Sequence, residues 1–190
     1  MLAAAVAVLS LSGWLLHAPL LSRFVQDRPA LSPMTAVGLL AAASALAMLR
    51  GRQSRAGPLS AVQILLGIAI VAAHAARLPQ RGWMPAAWWS SPLTGFGFAV
   101  SGSATALLAG GRVMTGQVLA FAMLLVSILF GLAHVFPKAD LYRYMPGTGV
   151  AIPTVLSFVA LSLGQLLSFS DRGASAALSP RNTAGRAGLR

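Results

Sequence analysis

Residues 113–136 read VMTGQVLAFAMLLVSILFGLAHVF, twenty-four consecutive positions without proline, Asp, Glu, Lys or Arg. A helix needs about 20 predominantly apolar residues to cross the roughly 30 Å hydrocarbon core of a bilayer. This stretch therefore predicts a membrane-spanning helix, and the chain on either side of it is built in the same way. Five more apolar segments run from Leu2 to Leu20, Met34 to Leu49, Leu59 to Ala76, Leu93 to Ala109 and Gly147 to Phe169. The expected fold is all-α, a polytopic bundle of six transmembrane helices in a domain covering 1–169. A polar, basic tail, 170–190, follows it and has the composition of a disordered segment.

Composition supports the same reading. Of 190 residues, 57% are hydrophobic and 9% charged, a balance that a single soluble core of this size does not accommodate. Fourteen basic residues face three acidic ones, Asp27, Asp140 and Asp171, for a net charge of +11. The basic residues fall in connections and in the tail, where they would meet lipid headgroups. Arginine in mid-bilayer costs roughly 2.5 to 3.5 kcal/mol on insertion scales, which accounts for that placement. Nucleic-acid binding calls for a basic, aromatic-rich surface on a water-facing domain, and no such domain is expected. The absence of cysteine excludes thiolate chemistry and disulfides. The first apolar segment lacks a basic n-region and continues through Trp14 and Leu16, which predicts an uncleaved spanning helix over a signal peptide.

Connections alternate between short and long, as expected if they lie on two different membrane faces. Trp83, Trp88, Trp89, Tyr142 and Tyr144 all lie in the long ones, the pattern of anchors in the headgroup zone. With the amino terminus in the cytoplasm, Arg50, Arg52, Arg55, Arg112, Arg172, Arg181, Arg186 and Arg190 lie inside, eight basic residues against six outside. Both termini are accordingly expected in the cytoplasm. Gly38 with Ala42, Gly95 with Ala99 and Gly102 with Ala106 have the small-xxx-small spacing that lets helix backbones approach.

A period of about sixty residues runs through the sequence. Pro33-Met34-Thr35 opens the second segment, Pro92-Leu93-Thr94 the fourth, and Ile152-Pro153-Thr154 the sixth, so that Thr35, Thr94 and Thr154 are 59 and 60 positions apart. Ser32 and Ser91 stand where helix caps are expected, and proline suits the first helical position, where a missing N–H leaves no bond unmade. His17, His74 and His134, 57 and 60 positions apart, stand near the ends of the odd segments. Three helical hairpins, covering approximately 1–55, 56–112 and 113–169, are the expected organisation.

The even segments, PMTAVGLLAAASAL, PLTGFGFAVSGSATALL and PTVLSFVALSLGQLL, resemble the recurrent P-N-T-A-L-A-F helices of a bacterial family. These are the multi-helix membrane regions that precede PAS, histidine-kinase or diguanylate-cyclase modules. Residues 141–158, LYRYMPGTGVAIPTVLSF, resemble that family's aromatic loop running into its last repeat helix. The chain departs from the pattern in two ways. Met34 and Leu93 stand where asparagine is usual, and no output module follows Phe169. The resemblance implies a non-catalytic sensory input or docking module of the bacterial inner membrane. Its partners would be the bilayer and other membrane proteins or a separate signalling effector. An alternative expectation is a structural or assembly subunit of a larger membrane complex.

The chemistry open to such a chain is narrow. Convergence of His17, His74 and His134 would make a metal or haem site, because neutral imidazole is a common ligand. Simple duplication of a helix-ending residue explains the same spacing. Thr35, Thr94 and Thr154 would either line a polar pocket or bond back to the preceding turn. No Asp or Glu lies within a span, so the usual carrier groups of ion-coupled transport are absent. No serine occupies a G-x-S-x-G elbow beside a histidine, and no catalytic residue is expected. Ser101-Gly102-Ser103 reads as a packing element, and Gly110-Gly111-Arg112 as a tight turn with a basic anchor.

Overall fold

From Val113 the chain runs in one unbroken helix to Val135, because nothing in between interrupts the hydrogen-bond ladder. The computed structural model describes residues 2–18, 30–51, 56–81, 85, 88–135 and 150–169, and among these residues this helix is α5 of six α-helices. In chain order the helices are α1 (Leu2–Leu15), α2 (Pro33–Gly51), α3 (Ala56–Ala75), α4 (Pro92–Ala109), α5 (Val113–Val135) and α6 (Ile152–Leu167). A short 3-10 turn, Leu78–Arg81, follows α3. Among the described residues there is no strand. Trp83, Tyr142, Tyr144 and the tail 170–190 lie outside the described residues.

The even helices α2, α4 and α6 all touch one another, and each odd helix lies between two of them. Thus α1 packs on α6 and α2, α3 on α2 and α4, and α5 on α4 and α6. The result is an inner group of three helices with one outer helix in each groove.

The expected six spans are corrected on one count. Among the described residues three helices are long and apolar enough to cross a membrane, Ala56–Ala75, Pro92–Ala109 and Val113–His134. The apolar helices Leu2–Leu15, Pro33–Leu49 and Ile152–Leu167 are shorter. The last was expected to begin at Gly147. It begins after Ala151 because Pro153, which has no N–H to give, belongs in a first turn. The first was expected to reach Leu20. It stops at Leu15 because His17 adopts a left-handed conformation, φ 52°.

That stop is a Schellman arrangement. The Ala18 N–H reaches back to the Gly13 carbonyl at 2.8 Å and the His17 N–H to the Trp14 carbonyl at 3.4 Å. The α4–α5 turn uses the same device with a residue better suited to it. Gly111 has φ 79°, and the N–H groups of Gly111 and Arg112 bond the carbonyls of Leu108 and Leu107 at 3.2 and 2.9 Å.

The most extensive interface joins α3 to α4, and glycine makes it possible. A Cβ placed on Gly67 would stand 2.5 Å from the Gly95 carbonyl oxygen and 2.6 Å from the Ala99 nitrogen. Further along the same interface, a Cβ on Gly102 would meet the Ser60 carbonyl and the Ile64 nitrogen at 3.1 Å. The small-residue spacing at Gly95 and Ala99 therefore brings two backbones into contact, as expected. At Gly38 the space is filled differently, by the Phe98 ring.

What the outer helices turn outward is apolar. On α5, Met114, Val118, Phe121, Leu125, Ile128, Leu129 and Leu132 are each between 45% and 57% exposed. At about 1.5 Å of rise per residue this stripe extends roughly 27 Å, close to the hydrocarbon thickness of a bilayer. Val62, Leu65, Ile68 and Val71 continue the belt on α3. Monomeric soluble proteins rarely expose contiguous apolar surface on this scale.

Candidate functional site: the polar core of the inner helices

A bundle with an apolar exterior concentrates its polar chemistry inside. Among the described residues the buried polar side chains are all serine, threonine or glutamine. Those that join one inner helix to another gather at two levels.

The first level is where α2 and α4 begin. The Ser91 hydroxyl accepts the Thr94 N–H at 3.2 Å, and its oxygen lies 2.9 Å from Thr94 Oγ1. Ser32 and Thr35 reproduce both contacts at the same distances. Here Ser90 joins them, its hydroxyl 3.0 Å from Ser32 Oγ and 2.8 Å from Thr35 Oγ1. Three buried hydroxyls thus tie α2 to the start of α4. The start of α6 lacks such a cap, because Ala151 offers no side-chain acceptor and the Thr154 N–H turns to the Ala151 carbonyl at 2.9 Å. Thr35, Thr94 and Thr154 are all buried, and the first two serve caps. For these two, neither the pocket nor the back-bonding expectation describes what is found.

The second level lies toward the opposite end of the inner helices. The Gln165 side-chain amide donates to the Ser101 carbonyl at 2.9 Å, to Ser101 Oγ at 3.1 Å and to Thr105 Oγ1 at 2.8 Å. Thr105 in turn donates to the Ser101 carbonyl at 3.1 Å. Ser101, expected to be a packing residue, is buried and is also a hydrogen-bonding partner, while its neighbour Gly102 packs closely on α3.

Between the two levels sits an aromatic plug. Phe98 and Phe158 meet edge to face, with centroids 5.3 Å apart. Phe98 fills the space that a side chain on Gly38 would take, and Phe158 does the same at Gly97. The large residue of each helix thus fits a small residue of the preceding even helix, about sixty positions earlier in the chain.

The histidines stand apart. Among the described residues, which include all three, no group of three or more His, Asp or Glu side chains could hold a metal ion. His17 is exposed at the left-handed end of α1. The His74 ring donates from Nδ1 to the Ile70 carbonyl at 2.9 Å and meets Trp89 edge-on at 6.1 Å. His134 donates from Nε2 to the Val150 carbonyl at 2.7 Å. A bond of the same kind is made by Trp14, whose indole N–H donates to the Leu31 carbonyl at 2.8 Å. Trp14 lies 60 residues before His74, and like His134 it donates to a backbone carbonyl, whereas His17 is exposed. The spacing of 57 between His17 and His74 already departed from the period. Each of these rings pins the end of an odd helix or the connection that follows it. Of the expected interface anchors, Trp88 is exposed and Trp89 partly buried against His74.

Sequence reasoning passed over Gln63, Gln117 and Gln165. All three are essentially fully buried, and Gln117 donates to the Phe169 carbonyl at 3.1 Å. The signal was present, since a glutamine inside an apolar run must find partners when lipid surrounds the bundle. These groups are neutral donors and acceptors, suited to fixing helices in register and to recognising polar groups by hydrogen bonding. Comparison with family models, with curated proteins and with solved structures finds no match to this chain.

Proposed function

We propose that this chain is a polytopic inner-membrane protein of three related hairpins, acting as a non-catalytic input or docking module for a separate signalling effector. The observation that carries the reading is the arrangement of the inner helices. Three helices hold one another through neutral polar contacts at two levels and an aromatic plug between them, with an apolar exterior around the whole. Such a core has discrete contacts that can be exchanged, and a packed bundle repacks between distinct arrangements instead of deforming continuously. The recurrence of contacts at a spacing near sixty supports the triplication. The Trp14 bond to Leu31 and the His134 bond to Val150 are one example, and the Phe98 and Phe158 contacts another. The P-M-T and P-L-T helix starts support the likeness to sensor membrane regions.

Isolation from native membranes in lipid nanodiscs tests this role. Co-isolation with a kinase or a nucleotide cyclase, reduced by substitutions in the polar core, is the expected result. Recovery only as a fixed-stoichiometry component of a larger membrane assembly would refute it.

A second reading, an assembly subunit, is favoured by one observation. The short helices α1 and α6 lie side by side, so one flank of the bundle falls short of bilayer thickness, and a neighbouring membrane protein would relieve that mismatch.

A further inference from the structure

The Ser101–Thr105 turn of α4 is approached from two sides by buried glutamines, and neither is fully satisfied. From α6, Gln165 spends its amide N–H groups on Ser101 and Thr105, leaving its Oε1, buried within the bundle, without a partner. From α3, the turn containing Gln63 lies directly against Gly102, because Ser60 O and Ile64 N are the backbone atoms nearest a Cβ there. Gln63 is 0% exposed, and neither its Nε2 nor its Oε1 has a hydrogen-bond partner. Ser162, one turn before Gln165 and also 0% exposed, has an unpartnered hydroxyl. Unpartnered polar groups on α3 and α6 thus flank one stretch of α4, and they include both donors and acceptors.

A buried amide left without any bond carries a desolvation penalty that native proteins almost always avoid. These groups are closed off from the lipid and from any partner protein by their burial, so whatever satisfies them must be held inside. We propose that this level is an internal water-binding site, in which ordered water bridges the Gln63 amide and the free acceptors and donors of Gln165 and Ser162. Two features select water over an ion. Every group at the level is neutral, and no described carboxylate is buried there to balance a cation in a low-dielectric interior. The mixture of N–H donors with oxygen acceptors also matches water, which needs two to four partners of both kinds. A cation held by the free oxygens would still leave the Gln63 amide N–H groups without an acceptor, which water supplies.

The test uses the wild-type chain in lipid bilayers. Gln63–Ile64 is the only Gln–Ile step in the sequence, so pairwise isotope labelling identifies the Gln63 resonances without a substitution. Water-edited solid-state NMR then reads magnetisation transfer from water to the Gln63 side-chain amide, with the exposed apolar stripe of α5 as the dry reference. Transfer to Gln63 well above that reference is the expected result, with side-chain shifts unchanged when sodium chloride is replaced by potassium chloride. Transfer no greater than the reference overturns the proposal. Shifts that follow the identity of the cation assign the level to an ion, and overturn it equally.

Discussion

Replacing Gly67 by alanine adds one methyl group, and the geometry of the α3–α4 crossing determines what it must do. The new Cβ would lie 2.5 Å from the Gly95 carbonyl oxygen and 2.6 Å from the Ala99 nitrogen, where ordinary contact begins near 3.4 Å. Both obstacles are backbone, so no side chain can swing aside, and the helices must separate by roughly 0.9 Å at their closest point. A radial gap of 0.5 to 1 Å forfeits about a quarter to a half of the dispersion attraction between facing atoms. Overpacking of this kind costs about 1 to 3 kcal/mol, whereas the better helix propensity of alanine returns at most about 1 kcal/mol. With the full propensity gain the net expectation is a loss of up to about 2 kcal/mol. Gly57 supplies the control, since it lies in the same helix and a methyl group added there would meet nothing within 4 Å. Gly57→Ala is expected to be neutral or to stabilise by up to about 1 kcal/mol. Unfolding free energies measured by steric trapping in bicelles would compare the two. If Gly67→Ala proves as well tolerated as Gly57→Ala, the close crossing is not a feature of the protein.

Phe98→Ala removes the ring that fills the space beside Gly38 and meets Phe158, and it is expected to destabilise by about 3 to 5 kcal/mol in the same assay. A loss below about 1 kcal/mol would mean that the inner helices do not close around that ring. Gln165→Leu deletes the bonds to Ser101 and Thr105, and about 1 kcal/mol is the expected loss, because interhelical hydrogen bonds in membranes average about 0.6 and reach about 1.7 kcal/mol. A gain in stability would show that those bonds do not hold α4 to α6. Ser91→Ala removes the cap of α4 and is expected to cost about 1 kcal/mol and to speed amide exchange at Thr94, with unchanged exchange there as the contrary result.

Much of the architecture was legible because it follows from apolar run length and from proline and serine at helix starts. The six helices and the caps at Ser32 and Ser91 belong to that class. Helix lengths were less legible, since an apolar run does not reveal where the backbone turns. Leu16 is as apolar as the residues before it, yet the left-handed conformation of His17 closes α1. Likewise Val150 and Ala151 look helical in composition, but they precede the first turn that Pro153 sets. Spacing and residue type alone do not reveal that the three histidines have different surroundings: His17 is exposed, whereas His74 and His134 bond backbone carbonyls. Gln63 and Gln165 were passed over because single amides in apolar runs give no periodic signal, and their importance lies in contacts between distant helices.

The chain contains no cysteine, so single cysteines can carry spin labels without background. Labels at Val118→Cys, Leu125→Cys and Leu132→Cys, along the exposed face of α5, allow power saturation to compare collisions with oxygen and with a water-soluble nickel chelate in reconstituted bilayers. If lipid surrounds this bundle, oxygen dominates at all three sites and most strongly at Leu125, near the middle of the stripe. Nickel accessibility at Leu125 equal to that at Arg112→Cys, in the exposed turn before α5, would contradict the membrane-embedded bundle.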